Sequence, residues 1–251
     1  IRDSNSTEIS SNEIFNNSAY GLRYYEPYGD VNTSNNHIYD NSSYQLYLNR
    51  QNSNLNFVMS NNTMSNATNN NYVVYLDGSG QSYDTMILVE NNDLTQHRNS
   101  NVLGMQSYYH DSYEKEVIIR DNRIQYEGTA SNSYYGIYAN SIDHLSIERN
   151  YIAGNTNGVL YRGIYASSCN ESLDIQNNNI EKTYNILEIR YTDGANVHSN
   201  VAWDYTNGIN LYDNNNLQFH YNCFWGPDIA VDDNFPTSFG DISTENSNGT
   251  P

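Results

Sequence analysis

The sequence predicts an all-β protein, a right-handed parallel β-helix (solenoid) of about nine coils, from two observations. A six-residue pattern recurs nine times with asparagine at its fourth position, and the nine asparagines are 22–30 residues apart. The chain also contains 44 asparagines, a residue that is depleted in ordinary strands and enriched in turns. A coil of this length cannot bury its own apolar residues, whereas stacked coils share one continuous core.

The pattern reads apolar, two polar residues, asparagine, any residue, apolar, as in Ile147-Glu-Arg-Asn150-Tyr-Ile152. An apolar residue often stands two positions earlier, which gives the period-two alternation of a strand with one buried face. Asparagine tolerates the left-handed conformation, so we expect it to turn each corner. Stacked asparagines can also hydrogen-bond along the axis as a ladder. The nine asparagines are Asn12, Asn36, Asn62, Asn92, Asn122, Asn150, Asn178, Asn200 and Asn222.

A second short strand follows each pattern, for example Gly136-Ile-Tyr-Ala and Gly163-Ile-Tyr-Ala. The repeats contain no amphipathic helical stretch and no leucine-dominated pattern, which argues against a leucine-rich repeat. Because the repeats run nearly end to end, we expect one β-helix domain over residues 1–232. Residues 233–251 are expected to be a C-terminal extension or linker, and sequence is expected upstream because the chain opens inside the repeat pattern.

Charge restricts the partners of the protein. The formal net charge is −18, and nucleic acids and anionic membrane surfaces require basic faces. Acidic polysaccharides would also be repelled unless a cation bridges them. No apolar run approaches the ~20 residues of a membrane span, so no membrane insertion is expected. Cys169 and Cys223 are predicted to lie two coils apart, about 10 Å, which is too far for a disulfide.

The corner followed by a second strand such as Gly208-Ile-Asn-Leu211 resembles the parallel β-helix repeats of the pectate-lyase-like superfamily. The segment Tyr221-Asn-Cys-Phe-Trp-Gly-Pro227 is similar to the last coil of its secreted members. The resemblance implies an extracellular or cell-surface location and a polysaccharide or surface protein as partner. It covers roughly residues 5–232 and is nearly silent on function.

The enzymatic signatures of that superfamily are mostly missing from the sequence. There is no Asp-Asp pair with a Gly-His-Gly segment and no Arg-Ile-Lys triplet. We therefore favour a binding module for carbohydrate or a protein partner. The alternatives are a polysaccharide lyase or glycoside hydrolase with its site near the middle coils, and a structural segment like those of adhesins or phage spikes.

The outward positions of the second strand form a column that is rich in tyrosine. Tyrosine offers an apolar face and a polar tip, suited to stacking on sugar rings, although it is also simply a good strand former. Gly104 interrupts the column and predicts a notch with aromatic walls, and the net charge favours a neutral glycan. The candidate carbohydrate-binding residues are Tyr47, Tyr75, Tyr138 and Tyr165.

Charged residues supply weaker candidates. Glu90, Arg120 and Glu148 are predicted on three adjacent coils, either as an acid/base site or as an ion ladder. His198 and His220, near Asp174, could hold a metal or remain solvated. Near the last coil, carboxylates could bind Ca²⁺ or be solvated. The expected cofactor is therefore none or Ca²⁺, and the Ca²⁺ candidates are Asp228, Asp232 and Asp233.

Overall fold

The computed structural model describes residues 1–2, 5–49, 53–78, 83–108, 115–129, 134–155 and 160–226, which form a parallel β-solenoid. The first eight strands are β1 (Asn5–Ser10), β2 (Glu13–Phe15), β3 (Leu22–Tyr25), β4 (Tyr28–Ser34), β5 (His37–Tyr39), β6 (Leu46–Asn49), β7 (Leu55–Ser60) and β8 (Thr63–Asn66). The middle strands are β9 (Val74–Asp77), β10 (Thr85–Glu90), β11 (Asp93–Gln96), β12 (Leu103–Tyr108), β13 (Lys115–Arg120), β14 (Arg123–Tyr126), β15 (Tyr135–Ile142) and β16 (His144–Glu148). The last strands are β17 (Tyr151–Ala153), β18 (Leu160–Ser167), β19 (Ser172–Gln176), β20 (Asn179–Arg190), β21 (Ala195–His198), β22 (Val201–Tyr212), β23 (Gln218–His220) and β24 (Cys223–Trp225).

The strands form two parallel sheets within the described residues. The first sheet has nine strands in the order β1-β4-β7-β10-β13-β16-β19-β21-β23, and each one leads into a ladder asparagine. The second sheet has fifteen strands. It consists of a stack that follows the asparagines (β2 to β17) and a stack of the second short strands (β3 to β18), and the two stacks join in β20. Strand β22 pairs with β20, and β24 pairs with β22. The predicted fold class, an all-β parallel solenoid, is therefore confirmed.

The core lies between the sheets and contains the apolar residues that the alternation pattern placed inward. The predicted inward residues of the second strand are all buried: Leu22, Leu46, Leu48, Val74, Leu76, Ile137, Ala139, Ile164, Ala166, Ile209 and Leu211. Both cysteines are free thiols, Cys169 buried and Cys223 exposed. The described part of the chain contains no apolar helix long enough to cross a membrane. The predicted domain boundary at residue 232 lies outside the described residues.

The asparagines form the predicted ladder. In mid-stack, Asn150 Oδ1 accepts hydrogen bonds from both the backbone nitrogen and the side-chain Nδ2 of Asn122, at 3.0 Å each. Asn150 Nδ2 in turn donates to Asn178 Oδ1 at 3.0 Å and to the carbonyls of Ile119 and Glu148. Each buried amide is therefore saturated, which a polar group inside a low-dielectric core requires.

The expectation that these asparagines adopt the left-handed conformation is wrong. The positive φ angles fall on the residue before each asparagine, for example 56° at Asp121 and 54° at Arg149. The turn is therefore made one position earlier, where the side chain points outward and a short polar residue is often present. The ladder asparagine is selected for its amide, which satisfies the backbone around the corner. The left-handed residues that directly precede the nine ladder asparagines are Ser11, Asn35, Asn61, Asn91, Asp121, Arg149, Asn177, Ser199 and Tyr221.

Candidate functional site

The first sheet carries Glu90, Arg120 and Glu148 on adjacent strands in the predicted register. Arg120 Nε and Nη2 both donate to Glu90 Oε2, at 2.9 and 2.7 Å. The Glu148 carboxylate instead binds Arg149, whose guanidinium also holds Asp121 with contacts of 2.8 and 2.9 Å. The structure thus brings two of the three residues into contact. It arranges all five as surface ion pairs, which typically contribute little to stability.

A shallow cleft of about 370 Å³ lies elsewhere on the first sheet, near the starts of the strands. Its acidic lining residues are Asp30, Asp84 and Glu116. Asn56 Nδ2 donates to Asp30 Oδ1 at 3.1 Å at one side of the cleft. Glu90, Arg120 and Glu148 do not line this cleft, so the three enzymatic candidates and the concavity do not coincide.

The two histidines of the last coils lie side by side on the first sheet. His198 and His220 stack with ring centroids 5.2 Å apart and planes 7° apart. His198 Nε2 is 3.5 Å from Asp174 Oδ1. The pKa of Asp174 is raised, because the effect of burial exceeds the opposing effect of His198. Over the described residues, no three His, Cys, Asp or Glu side chains converge as a metal site. Asp228, Asp232 and Asp233 lie outside the described residues, so Ca²⁺ binding there stays a prediction.

The second sheet presents the predicted tyrosine column on its outer surface. Strand pairing aligns Tyr47 with Tyr75, and Tyr138 with Tyr165. The rings of Tyr138 and Tyr165 are parallel, with centroids 5.2 Å apart. Those of Tyr47 and Tyr75 are 5.8 Å apart and inclined by 20°.

A second line of tyrosines flanks this column and widens it. Tyr44 stacks on Tyr47 with centroids 5.0 Å apart, and Tyr135 lies 5.3 Å from Tyr165. Burial among these rings raises the pKa of Tyr138 and, more strongly, that of Tyr72, to about 12. We call this surface the tyrosine face. It comprises Tyr20, Tyr44, Tyr47, Tyr72, Tyr75, Tyr135, Tyr138 and Tyr165.

The notch predicted at Gly104 is absent, because the ring of Tyr72 fills it. A Cβ atom on Gly104 would lie 2.3 Å from Tyr72 Cε1 and 2.9 Å from Tyr75 Cδ2. The Tyr72 hydroxyl is hydrogen-bonded to Asn101, a bond that lowers its pKa against the larger effect of burial. Glycine is therefore required here for the close approach of an aromatic ring, and the space over Gly104 is occupied where an open notch was expected.

A charged cluster that the sequence reasoning missed lies at one end of the tyrosine face. Glu188 follows Tyr165 in the same column and is completely buried. Arg162 Nε donates to Glu188 Oε2 and Arg162 Nη1 donates to Tyr135 Oη at 2.9 Å. Arg190 Nε lies against Glu188 Oε1, and Asn210 Nδ2 donates to Oε2 at 3.2 Å. A glutamate directly after Tyr138 and Tyr165 in the column, with an arginine two positions later, is the signal that could have found it.

Comparison with known proteins identifies the fold family and no activity. A family model described as "Right handed beta helix region" matches residues 69–247, more than half of the chain. Within the described residues, this segment includes six strands of the first sheet: β10, β13, β16, β19, β21 and β23. Searches of curated proteins and of solved structures each found no match.

Proposed function

Because this chain belongs to the right-handed β-helix family, we propose that it is a binding module whose tyrosine face takes up carbohydrate. The fold is consistent with binding of carbohydrate or protein and with enzymatic roles, so the choice among them rests on the surface. A location outside the cell or on its surface is part of the same proposal. The supporting observation is that tyrosine rings of adjacent coils stack along the solenoid axis, as the pairs Tyr47–Tyr75 and Tyr138–Tyr165 do.

The geometry of the tyrosine face suits a sugar chain lying along the axis. Successive coils are separated by ~4.8 Å, which is close to the length of one sugar unit in an extended chain. A ligand of this kind would meet about one ring per coil. Tyrosine rings offer an apolar surface to the C–H faces of sugars and a hydroxyl at the edge.

Polar side chains beside the rings could supply the hydrogen bonds that orient a sugar. One outward column next to the tyrosine face aligns Asn49 with Asp77, Gln106 and Asn140 on successive coils. Amides present both donors and acceptors and a carboxylate presents acceptors, which together match the hydroxyl groups of sugars. Aromatic rings with a few placed polar groups are the usual composition of small-ligand sites.

The test is binding of the protein to a panel of oligosaccharides, followed by alanine variants of the tyrosine face. Tyr138→Ala and Tyr165→Ala should each weaken binding by about 0.5–1.5 kcal/mol, the range measured for aromatic pair contacts. Their melting temperatures should change little, because both rings point away from the core. Titration calorimetry measures the affinity and circular dichroism the melting temperature.

Tyr39→Ala is the matched control for this experiment. Tyr39 also belongs to a stacked pair, with Phe15 at 5.1 Å, but it lies outside the tyrosine face. Its removal should leave the affinity unchanged. The proposal fails if no oligosaccharide binds the wild-type protein. It also fails if Tyr138→Ala and Tyr165→Ala lower stability and leave affinity intact, since the rings would then serve packing alone.

A further inference from the structure

Three apolar side chains lie one above the other on the outer surface of the first sheet. Strand pairing aligns Val58 with Leu88, and Leu88 with Ile118. All three side chains are partly exposed, and none belongs to the buried core. Strand propensity would favour such residues in every coil, yet the same column carries Asn32 and Ser146 on the coils at either side. The apolar character is therefore confined to three adjacent coils.

Met86 widens this surface and joins it to the shallow cleft on the same sheet. It lies two positions before Leu88 on β10, so both side chains face outward, and it is one of the residues that line the cleft. Apolar side chains that are scattered singly over a surface need no explanation, whereas contiguous ones mark interaction sites. We call this cluster the apolar stripe. It comprises Val58, Met86, Leu88 and Ile118.

The charges around the apolar stripe are mostly negative. Within the described residues, β4, β7, β10, β13, β16 and the residues that directly adjoin them contain three basic side chains other than histidine: Lys115, Arg120 and Arg149. The same strands and adjoining residues contain seven carboxylates: Asp30, Asp84, Glu90, Glu116, Asp121, Asp143 and Glu148. The surroundings of the apolar stripe therefore favour a partner that carries positive charge.

The three basic side chains are already engaged. Arg120 and Arg149 each bind a carboxylate on the neighbouring coil, at 2.7 and 2.8 Å. Lys115 is 2% exposed and donates hydrogen bonds to the Tyr83 carbonyl and to Thr85 Oγ1. By contrast, the three carboxylates that line the cleft are exposed, and none of the described lining residues is basic. A cation that enters the cleft would therefore lie next to exposed carboxylates.

Charge and size together select the occupant of the apolar stripe. A second copy of the chain would bring another −18 and the same acidic surroundings, and like charges that face each other across an interface are unfavourable. The apolar stripe spans two coil spacings, about 10 Å, which is small for a folded domain and suits an extended segment. Lysine and arginine combine an apolar stem with a charged head, so the stem can pack on Met86 while the head reaches the carboxylates of the cleft.

We infer that the apolar stripe and the cleft beside it form a docking site for an extended basic peptide segment of a partner protein. Apolar side chains of the segment contact Val58, Leu88 and Ile118, and a neighbouring lysine or arginine enters the cleft. The inference is independent of the proposed carbohydrate binding, because the tyrosine face lies on the second sheet whereas the apolar stripe lies on the first.

The experiment compares three labelled octapeptides by fluorescence anisotropy. One alternates lysine with leucine, the second alternates lysine with serine, and the third alternates glutamate with leucine. The lysine–leucine peptide should bind the wild-type protein about tenfold more tightly than either of the others, since only this peptide offers both apolar burial and positive charge. If the lysine–serine peptide binds equally well, the attraction comes from net charge alone and the inference is overturned. It is also overturned if the glutamate–leucine peptide binds equally well or if none of the three binds.

Val58→Thr should weaken binding of the lysine–leucine peptide about threefold, because it removes apolar contact and keeps the β-branched shape of the side chain. Leu88→Thr should weaken it about fivefold. Val201→Thr is the matched control, since Val201 is 40% exposed and lies on the second sheet. Melting temperatures should stay close to that of the wild type, because all three side chains point outward. If Val201→Thr weakens binding as much as Val58→Thr, the peptide does not bind at the apolar stripe.

The charge of the cleft is tested by Glu116→Gln, which should weaken binding about threefold, an effect that high salt should abolish. Glu13→Gln makes the same change of net charge at an exposed position of the second sheet and should have no effect. Equal losses in these two variants would show that only the net charge matters, which overturns the inference. Sedimentation velocity of the protein alone should show a monomer. A dimer that Leu88→Thr dissociates would make the apolar stripe an interface between copies and would likewise overturn the inference.

Discussion

At the scale of single residues, the corner of each coil divides two tasks between adjacent positions. The residue before the ladder asparagine takes the left-handed backbone, for example Asn177 with φ of 55°. The asparagine that follows supplies the amide that binds the coils above and below, as Asn178 does with Asn200 at 3.0 Å. A substitution at the asparagine therefore acts through hydrogen bonds, and one at the preceding residue acts through backbone strain.

We predict that Asn150→Val lowers the free energy of unfolding by about 3 kcal/mol. Valine leaves the backbone N–H of Asn122 without its acceptor and removes the side-chain donor to the carbonyls of Ile119 and Glu148. A buried group that is left unsatisfied costs about 1–3 kcal/mol. Chemical denaturation measures the change. Asn70→Val, at an exposed position, is the control and should change stability by less than about 0.5 kcal/mol. An unchanged midpoint and slope for Asn150→Val would contradict a structural ladder.

At the scale of the strand, the outer surface of the second sheet depends on a close fit between a glycine and a ring. Tyr72 precedes its strand, yet its ring crosses to the next coil and covers Gly104. The Tyr75 ring also lies close to Gly104, so two aromatic rings pack against this position. The position of the Tyr72 ring therefore depends on a residue without a side chain.

We predict that Gly104→Ala lowers stability by about 1–2 kcal/mol, because the new methyl group overlaps the Tyr72 ring and forces it to move. The same substitution should also weaken the binding of any ligand that spans the middle of the tyrosine face. The double variant Gly104→Ala, Tyr72→Ala removes the overlap. Its loss of stability should therefore be smaller than the sum of the losses in the two single variants. Strict additivity in a denaturant-based double-mutant cycle would show that the two residues are not in contact.

At the scale of the whole molecule, stacking buries phenol groups both inside the core and between rings on the surface. Tyr24 is fully buried and hydrogen-bonded to Thr33 Oγ1 at 2.6 Å, and burial raises its pKa to about 12. Burial likewise raises the pKa of Tyr72 to about 12. In the unfolded chain both phenols ionise near pH 10. Between about pH 10 and about pH 12, the folded protein therefore keeps these two phenol protons while the unfolded chain releases them.

This difference predicts alkaline destabilisation. Because the folded pKa values exceed the unfolded ones, the contribution to stability is complete below about pH 10 and is lost as the pH rises toward about 12. Urea denaturation at a series of pH values across that window should show the midpoint falling. Tyr72→Phe removes one of the titrating groups, so its midpoint should fall less steeply than that of the wild type. A midpoint independent of pH across the window would rule out protonation-linked stability from these tyrosines.

The sequence alone determined the repeat, and with it the fold class, the inward residues and the columns on each face. Solenoid coils contact only their neighbours, so a periodic pattern carries nearly all the information that specifies strand register. For this reason the repeat is sufficient to predict that Tyr138 and Tyr165 lie one above the other, as the strand pairing has them. The same reasoning aligned Glu90 with Arg120.

The tertiary structure decided where side chains go after they leave the backbone. Long side chains reach the next coil, and the pattern does not say which neighbour they choose. Glu148 forms its ion pair with Arg149 rather than with Arg120. The Tyr72 ring fills the space over Gly104. Glu188 forms ion pairs with two arginines. Periodicity thus fixes positions along the axis, whereas local packing and charge pairing, which depend on three-dimensional proximity, decide the chemistry of the surface.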